Sequence, residues 1–268
     1  MIPKDSTAKK LPANLARTAR KIRAQFEQLQ NTKQWLKGQM QGEEIDLPAW
    51  IDFHVQRQSS VAKEGGFYKT FEQCSRDLSC LVLADISMST DAHINNNARV
   101  IDVIKNGLML FSEALSAVGD SFALYGFSSV KRHHVRFSVL NNFNEKYTDE
   151  VRGRIQALRP GFYTRMGAAI RQSVNILSEQ SQRQKLLLLL TDGKPNDVDH
   201  YEGRFGIEDT HQAILAAKRA GIRPFCITID QKADEYLPYL FGSDGYTVIK
   251  DPAQLPSKLP SLYHQLTS

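Results

Sequence analysis

Residues 80–89 read CLVLADISMS, and residues 185–193 read KLLLLLTDG. Each stretch is an apolar run that leads into an aspartate and small polar residues. Apolar runs without an alternating polar face are typical of strands that are buried on both faces of a sheet. Sheets of this kind are mainly parallel and carry helices on both sides, so these two stretches decide the fold class.

Strand patterns and amphipathic helix patterns alternate on either side of the two runs. The predicted strands cover residues 80–84, 121–127, 134–140, 185–191, 224–229 and 246–249. The predicted helices cover residues 100–118, 148–158, 166–181, 210–220 and 254–265. This alternation predicts an α/β fold with a mainly parallel sheet and helices on both faces. Ligands of such sheets bind at the carboxyl ends of the strands.

Residues 1–76 are predicted to form a helical, basic N-terminal extension, and residues 77–268 to form the α/β domain. The apolar residues of the extension that recur at helical spacing are Leu15, Ala19, Ile22, Phe26 and Leu29. Leu36 and Met40 continue that register. The resulting stripe can pack on its own domain or on another protein, and packing on its own domain is the more common outcome.

The net charge of +5 is concentrated at the start of the chain. Residues 1–40 contain nine Lys or Arg and two Asp or Glu, a charge of +7, so the remaining 228 residues carry −2. A nucleic-acid-binding arm has this composition, and so does a solvated helix face. We favour the solvated face and expect no nucleic-acid partner, because no aromatic residues are interleaved with the basic ones.

Cysteine use and hydropathy indicate a reduced, cytoplasmic protein. The longest leucine run is five residues, far short of the roughly 20 that cross a bilayer, so we expect no membrane insertion. Residues 1–30 show no secretory signal pattern. Of Cys74, Cys80 and Cys226, the last two lie in apolar runs and are expected to be buried, and three cysteines do not form a disulfide framework.

Three loops are rich in oxygen ligands: 85–89 after the first apolar run, 161–167 before a helix, and 191–193 after the leucine run. The candidate ligands are Asp85, Ser87, Ser89, Thr164 and Asp192. Hard oxygen donors suit Mg²⁺ or Mn²⁺, whereas zinc and copper prefer softer ligands. Helix capping is the alternative role for the hydroxyls. Capping does not explain aspartates at the ends of two buried strands, so we favour the metal site.

The D-x-S-x-S of residues 85–89, the later Thr164 and the T-D-G of residues 191–193 resemble the metal-ion-dependent adhesion site (MIDAS) of von Willebrand factor A (vWA) domains. The resemblance implies a Rossmann-like vWA fold. It also implies that the serines and the threonine ligate the metal directly and that the aspartates act through water. One coordination position would then remain open for a carboxylate of a partner protein.

A narrower resemblance, to the NorD/CbbO family, rests on residues 83–92, 189–197, 201–210 and 221–230, with shorter matches at 44–47 and 76–78. Members of that family work with a MoxR-type AAA+ ATPase ring. CbbO-like members help reactivate inhibited Rubisco, and NorD-like members help activate nitric oxide reductase. Family members are generally longer, so this chain resembles the C-terminal part of one, or a short member.

These resemblances predict a non-catalytic adaptor that binds a client's acidic side chain while a separate ATPase supplies force. We favour Rubisco as the client over nitric oxide reductase. A metal-dependent phosphatase is a weaker alternative, because Ser87 stands where such an enzyme needs a second carboxylate. A partner-binding rim is expected from Arg165, Lys194, Tyr201, Glu202 and Arg204, although residues 201–209 can equally be a simple entry into the next helix.

Overall fold

The computed structural model describes residues 6–30, 33–57, 66–73, 77–95, 98–230, 232–251 and 254–267. Cys74 and the side chain of Leu29 lie outside what it describes. The chain divides into two compact units, one made of Met1–Phe26 with Asp77–Ser268 and the other of Glu27–Arg76.

The described residues form eight α-helices and eleven strands. The helices are α1 (Ala13–Gln30), α2 (Leu47–Arg57), α3 (Val100–Val118), α4 (Asp149–Gln156), α5 (Met166–Ser178), α6 (Gly203–Arg219), α7 (Leu237–Phe241) and α8 (Leu255–Thr267). The strands are β1 (Lys33–Gln39), β2 (Glu44–Ile45), β3 (Tyr68–Gln73), β4 (Leu78–Asp85), β5 (His93–Asn95), β6 (Ala98–Arg99), β7 (Ser121–Val130), β8 (His134–Asn141), β9 (Gln184–Thr191), β10 (Ile222–Thr228) and β11 (Tyr246–Val248).

The larger unit is built on a six-stranded sheet with the order β11-β10-β9-β4-β7-β8. All neighbouring strands pair in parallel except β7 and β8, which form an antiparallel hairpin at one edge. The two apolar runs form the central strands β4 and β9. Their side chains on both faces are buried, for example Val82 and Leu83 at 0% exposure. The predicted α/β fold with a mainly parallel sheet is therefore confirmed.

The apolar stripe of α1 packs on its own unit, as the sequence favoured. Leu15, Ala19, Ile22 and Phe26 are all buried. The ring of Phe26 stacks on Tyr263 of α8 with their centroids 6.2 Å apart. The basic residues of this helix therefore belong to its outer face, apart from Arg23, which pairs with the buried Glu113 of α3.

The second unit contains strands as well as helix, so the predicted continuation of α1 through Leu36 and Met40 is wrong. Residues 33–39 instead form β1, which pairs antiparallel with β3, and β2 pairs with the other side of β3. The register shifts between Leu36 and Gln39, and Gly38 has a left-handed backbone with φ of 75°. A bulge with a left-handed glycine fits a strand and interrupts a helix.

The start of α6 also differs from the prediction. The helix begins at Gly203, seven residues before the expected start at Thr210. Asp209 and Thr210 therefore lie within the helix and do not cap it. Thr210 is buried and donates its hydroxyl hydrogen to the carbonyl oxygen of Gly206, 2.7 Å away.

Candidate metal centre

The five predicted ligands come together at the carboxyl edge of the sheet. Asp85 ends β4, and Asp192 follows β9, the strand beside it. The two serines follow Asp85, and Ser89 lies in a short 3-10 helix, Met88–Asp91. Because parallel strands end at the same edge, the first and third loops are neighbours by construction.

Hydrogen bonds join the polar side chains into two sets, which the backbone N–H of Ser87 links by its bond to Asp85. The Ser89 hydroxyl donates to Asp192 Oδ1 at 2.8 Å, and the oxygens of Ser87 and Ser89 lie 2.9 Å apart. Since the single hydroxyl hydrogen of Ser89 is directed at Asp192, Ser87 is the donor in the contact between the serines. The Thr164 hydroxyl donates to Asp85 Oδ2 at 3.2 Å.

Hydrogen bonds between its own side chains and backbone hold the first loop in place. The backbone N–H of Ser87 donates to Asp85 Oδ1 at 2.9 Å. The hydroxyl of Thr90 donates to the carbonyl oxygen of Ser87 at 2.7 Å. Such local side-chain bonds replace regular secondary structure in turns that follow a strand. The loop therefore presents its two serine hydroxyls in a defined arrangement.

The second loop is fixed between two other segments. Tyr163 pairs with Ser129 at the end of β7, and Thr164 pairs with Asn196 in the loop after β9, each through two backbone hydrogen bonds. The helix that follows starts after Arg165, which makes no side-chain capping bond. Thr164 therefore does not cap α5, and its hydroxyl is directed at Asp85 instead. The capping alternative fails at this position.

Burial makes the two carboxylates of the group costly to ionise. Asp85 is fully buried. Burial and the neighbouring charge of Asp192 raise the pKa of Asp85 to about 7, against the hydrogen bonds from Ser87 and Thr191. Burial likewise raises the pKa of Asp192, against the hydrogen bond from Ser89. A cation bound between two such carboxylates would favour their charged forms.

The donor set fits a hard divalent cation. It consists of two carboxylates and three hydroxyls, with Asp85, Ser87 and Thr164 buried and Ser89 exposed. The described residues contain no cluster of three or more His, Cys, Asp or Glu that could hold a metal, so any metal here would rely on hydroxyl oxygens. Neutral ligands leave more of the cation's charge available to an external anion. The exposed side, at Ser89, is where such an anion could enter.

Two of the five predicted rim residues are buried, which corrects their expected role. Arg165 is 9% exposed and Tyr201 is 1% exposed. The Arg165 guanidinium pairs with Asp197 and Asp199 and lies 4.1 Å from the centre of the Tyr201 ring. Both side chains therefore stabilise the loops around the site and cannot contact a partner in this conformation.

The other three predicted rim residues reach the surface. Glu202 is exposed at the start of α6, and the Arg204 side chain is 93% exposed. The ammonium group of Lys194 lies 2.6 Å from a carboxylate oxygen of Glu235. Their contact with a partner stays a prediction.

Asp197 was not predicted from the sequence, and it joins three segments around the second loop. Its carboxylate accepts hydrogen bonds from the backbone N–H groups of Lys131 and Val198 at 2.9 and 2.8 Å. The Ser129 hydroxyl donates to it at 2.8 Å and the Arg165 side chain at 3.3 Å. Burial alone would raise the pKa of Asp197, but these bonds outweigh it and hold the pKa below its usual value.

Apolar side chains beside the site were also missed. Met88 is 61% exposed, Phe162 36% and Tyr163 39%. Met88 is bonded through its backbone N–H to the carbonyl oxygen of Phe162, 2.8 Å away. Phe162 has a left-handed backbone with φ of 70°, which is uncommon for a bulky residue and costs of order 1–3 kcal/mol. The only sequence signal was their position within two residues of a predicted ligand.

The family model of the von Willebrand factor type A domain matches residues 81–258. The chain belongs to this family. Domains of the family commonly bind a divalent metal at a site of this kind. The fold of the chain is similar to that of the PilB minor pilin from Streptococcus sanguinis, with a TM-score of 0.58 and 16% identity over 78% of this chain and 66% of that chain.

The vWA chain is also similar to proteins named NorD. It is 59% identical to Protein NorD of Stutzerimonas stutzeri over 254 residues, which cover 95% of this chain and 42% of that protein. It is 41% identical to Protein NorD of Brucella melitensis over 92% of this chain and 39% of that protein. The predicted resemblance to NorD is thus confirmed. The chain spans about two fifths of the length of these relatives.

The two described cysteines agree with their expected burial. Cys80 and Cys226 are both buried, as expected. Among the described residues, no helix combines the length and apolar character that a membrane crossing requires.

Proposed function

We propose that this vWA domain is a non-catalytic adaptor that captures a carboxylate of a partner protein through a bound Mg²⁺ or Mn²⁺ ion. The observation that carries the proposal is the convergence of Asp85, Ser87, Ser89, Thr164 and Asp192 on one another at the sheet edge. When bound, the metal would supply an electrophilic centre for an external oxygen ligand.

The chain's own residues would divide this work between holding the ion and shaping the entrance. The buried Asp85 would hold the Ser87 backbone and the Thr164 hydroxyl in place, and the exposed Ser89 would mark the side open to the partner. Exposed Met88, Phe162 and Tyr163 beside the ligands would contact apolar groups that flank the partner's carboxylate. Central apolar anchors next to a polar contact are common in protein interfaces.

We further propose that the adaptor works with a MoxR-type AAA+ ATPase to activate a client enzyme. The similarity to proteins named NorD favours nitric oxide reductase slightly over Rubisco, the client that the sequence analysis favoured. Both the ATPase partnership and the client rest on the family resemblance.

Metal binding is tested first, by isothermal titration with Mg²⁺ and Mn²⁺. The wild type should bind, and Ser87→Ala and Thr164→Ala should each weaken binding at least about tenfold, because each removes one neutral oxygen ligand. Ser243→Ala changes an exposed serine in the loop before β11 and is the matched control. Equal affinity in all four proteins would refute the metal site.

Client capture is tested with purified nitric oxide reductase and Rubisco, each mixed with the ATPase and either wild type or Ser87→Ala. The proposal expects metal-dependent binding of nitric oxide reductase by the wild type only. Binding of Rubisco and not of nitric oxide reductase would instead favour a CbbO-like role for the chain. Binding that survives both Ser87→Ala and removal of the metal by a chelator would contradict capture through the ion.

A further inference from the structure

A cavity of about 510 Å³ lies near the start of α3, where the chain after α4 passes the N-terminal segment. Four of the nine residues that line it are basic: Lys9, Arg99, Lys105 and Arg159. They come from three separate parts of the chain. The backbone N–H of Lys9 donates to the carbonyl oxygen of Asp149 at 2.9 Å, which fixes the N-terminal segment at the rim.

Acidic groups offset only part of this charge. Asp91 lines the cavity and pairs with Arg99 at 2.9 Å, and Asp102 lies 3.5 Å from the same guanidinium. The nine lining residues themselves include four basic side chains and one acidic side chain. A concave site with an excess of one sign concentrates the opposite charge.

Lys105 shows the effect of this environment. Its side chain is partly buried in the second turn of α3. Burial lowers its pKa, and the charges of Arg99, Lys9 and Arg159 lower it further, while Asp102 acts in the opposite direction. Placing an anion in the cavity would relieve the repulsion between Lys105 and the cations of Arg99, Lys9 and Arg159.

The lining indicates which anion would fit. None of the nine lining residues is aromatic, so the cavity offers no platform on which a nucleobase could stack. The volume falls within the range of small-molecule sites. Several cations converging from different segments suit a compact ligand with several negative oxygens, which guanidinium and ammonium groups bind by charge-assisted hydrogen bonds.

We propose that this cavity is a binding site for a polyphosphate group, either free pyrophosphate or the phosphate chain of a nucleotide. The site shares no ligand with the proposed metal centre. The cavity is nevertheless close in sequence to two loops of the metal centre. Asp91 ends the 3-10 helix that carries Ser89, and Arg159 directly precedes the segment that leads to Thr164. The proposal goes beyond the carboxylate capture proposed above and stands without it.

The test is isothermal titration of the full chain with inorganic pyrophosphate in metal-free buffer at about 0.15 M NaCl. Lys105→Gln and Arg159→Gln should each weaken binding by about ten- to a hundredfold, because each removes a charge-assisted contact. Lys258→Gln removes an exposed lysine that does not line the cavity and should bind like the wild type. Ser87→Ala should also bind pyrophosphate normally, which separates this site from the metal centre.

A second variant leaves every charge in place. A Cβ atom at residue 153 would lie 2.0 Å from the carbonyl oxygen of Thr7. Gly153→Ala should therefore displace the segment that carries Lys9 and weaken pyrophosphate binding, with thermal unfolding confirming that the protein is folded.

Titration with ADP identifies the source of the phosphate groups. Equal affinity for ADP and pyrophosphate is expected if only phosphates are recognised. Three results would overturn the proposal: absence of pyrophosphate binding by the wild type, equal weakening by Lys258→Gln and Lys105→Gln, or binding of a glutamate-rich peptide in place of pyrophosphate.

Discussion

Replacing Asp197 with asparagine tests how the second loop of the candidate metal centre is held. The carboxylate is 2% exposed and joins the β7–β8 turn, the loop after β9 and Arg165, the residue next to Thr164. Asparagine has nearly the same shape and keeps one carbonyl oxygen. That oxygen can still accept the backbone N–H groups of Lys131 and Val198, which both bond to Oδ1.

The Oδ2 position of the side chain determines how much stability the substitution removes. The new amide NH₂ group would face the Ser129 hydroxyl and the Arg165 side chain, which both donate to Oδ2 of the aspartate. Ser129 can reverse its hydroxyl hydrogen and accept, whereas Arg165 can only donate, so it loses one of its two charged partners and keeps Asp199. Breaking a buried ion pair costs about 3–5 kcal/mol, so we expect the lower end, about 3 kcal/mol at pH 7.

The dependence on pH gives a second signature. The pKa of Asp197 is lowered in the folded state, so its contribution to stability is present above the unfolded pKa of about 3.9 and is lost as the pH falls below it. The difference in stability between wild type and Asp197→Asn should therefore be constant near neutral pH and should narrow below about pH 4.

The assay is chemical and thermal unfolding between pH 3 and pH 7. A loss of about 3 kcal/mol corresponds to a fall in Tm of about 6–12 °C for a domain of this size. Asp244→Asn removes an exposed carboxylate near β11 and serves as the matched control. A loss below about 1 kcal/mol, or a loss that does not narrow in acid, would refute the argument that this carboxylate holds the loop.

Three further substitutions test the packing around the sheet, each by urea unfolding. Phe26→Ala should destabilise the protein by about 3–5 kcal/mol, because it empties a buried contact with Tyr263. Gly167→Ala should cost about 1–3 kcal/mol, since a Cβ atom would lie 2.1 Å from Asp209 Oδ2 and would displace that side chain. Glu113→Gln should cost about 3–5 kcal/mol, because this buried carboxylate pairs with arginines of α1 and α4.

Each of these substitutions has a control of the same chemical type. Phe205, which is 61% exposed, is the control for Phe26, and the exposed Glu150 is the control for Glu113. Gly161 is the control for Gly167, because a Cβ atom added there would have no other atom within 4 Å. The same replacements at these three positions should change stability by less than about 0.5 kcal/mol. A control that costs as much as its partner would show that the side chain's environment is not the cause.

The sequence predicts the central sheet well because its signal is local. The runs at β4 and β9 and the long stripe of α3 can be read without knowing what packs against them. The start of α6 could not be read in this way, since Gly203 and Gly206 are typical of a loop. Gly206 instead reflects close packing, because a Cβ there would lie 3.1 Å from the carbonyl oxygen of Pro195.

The candidate site shows the same difference between features with a local sequence signal and features that depend on distant partners. The ligand residues are short motifs at strand ends, so their convergence follows from the order of the strands. The burial of Arg165 and Tyr201 depends on partners more than thirty positions away in the sequence, Asp197 for Arg165 and Gly167 for Tyr201. Strand β1 was likewise missed because its pairing with β3 joins residues that are up to about forty positions apart.

The packing of α1 has a practical consequence for recombinant expression. A chain shortened to residues 77–268 would contain the whole sheet but would lack the helix that covers Tyr263 and Glu113. The buried side chain of Phe111, which lies 5.2 Å from the Tyr263 ring, belongs to the same contact. A newly exposed apolar face promotes aggregation. Poor yield of such a shortened chain would therefore reflect the missing helix and would carry no information about metal or client.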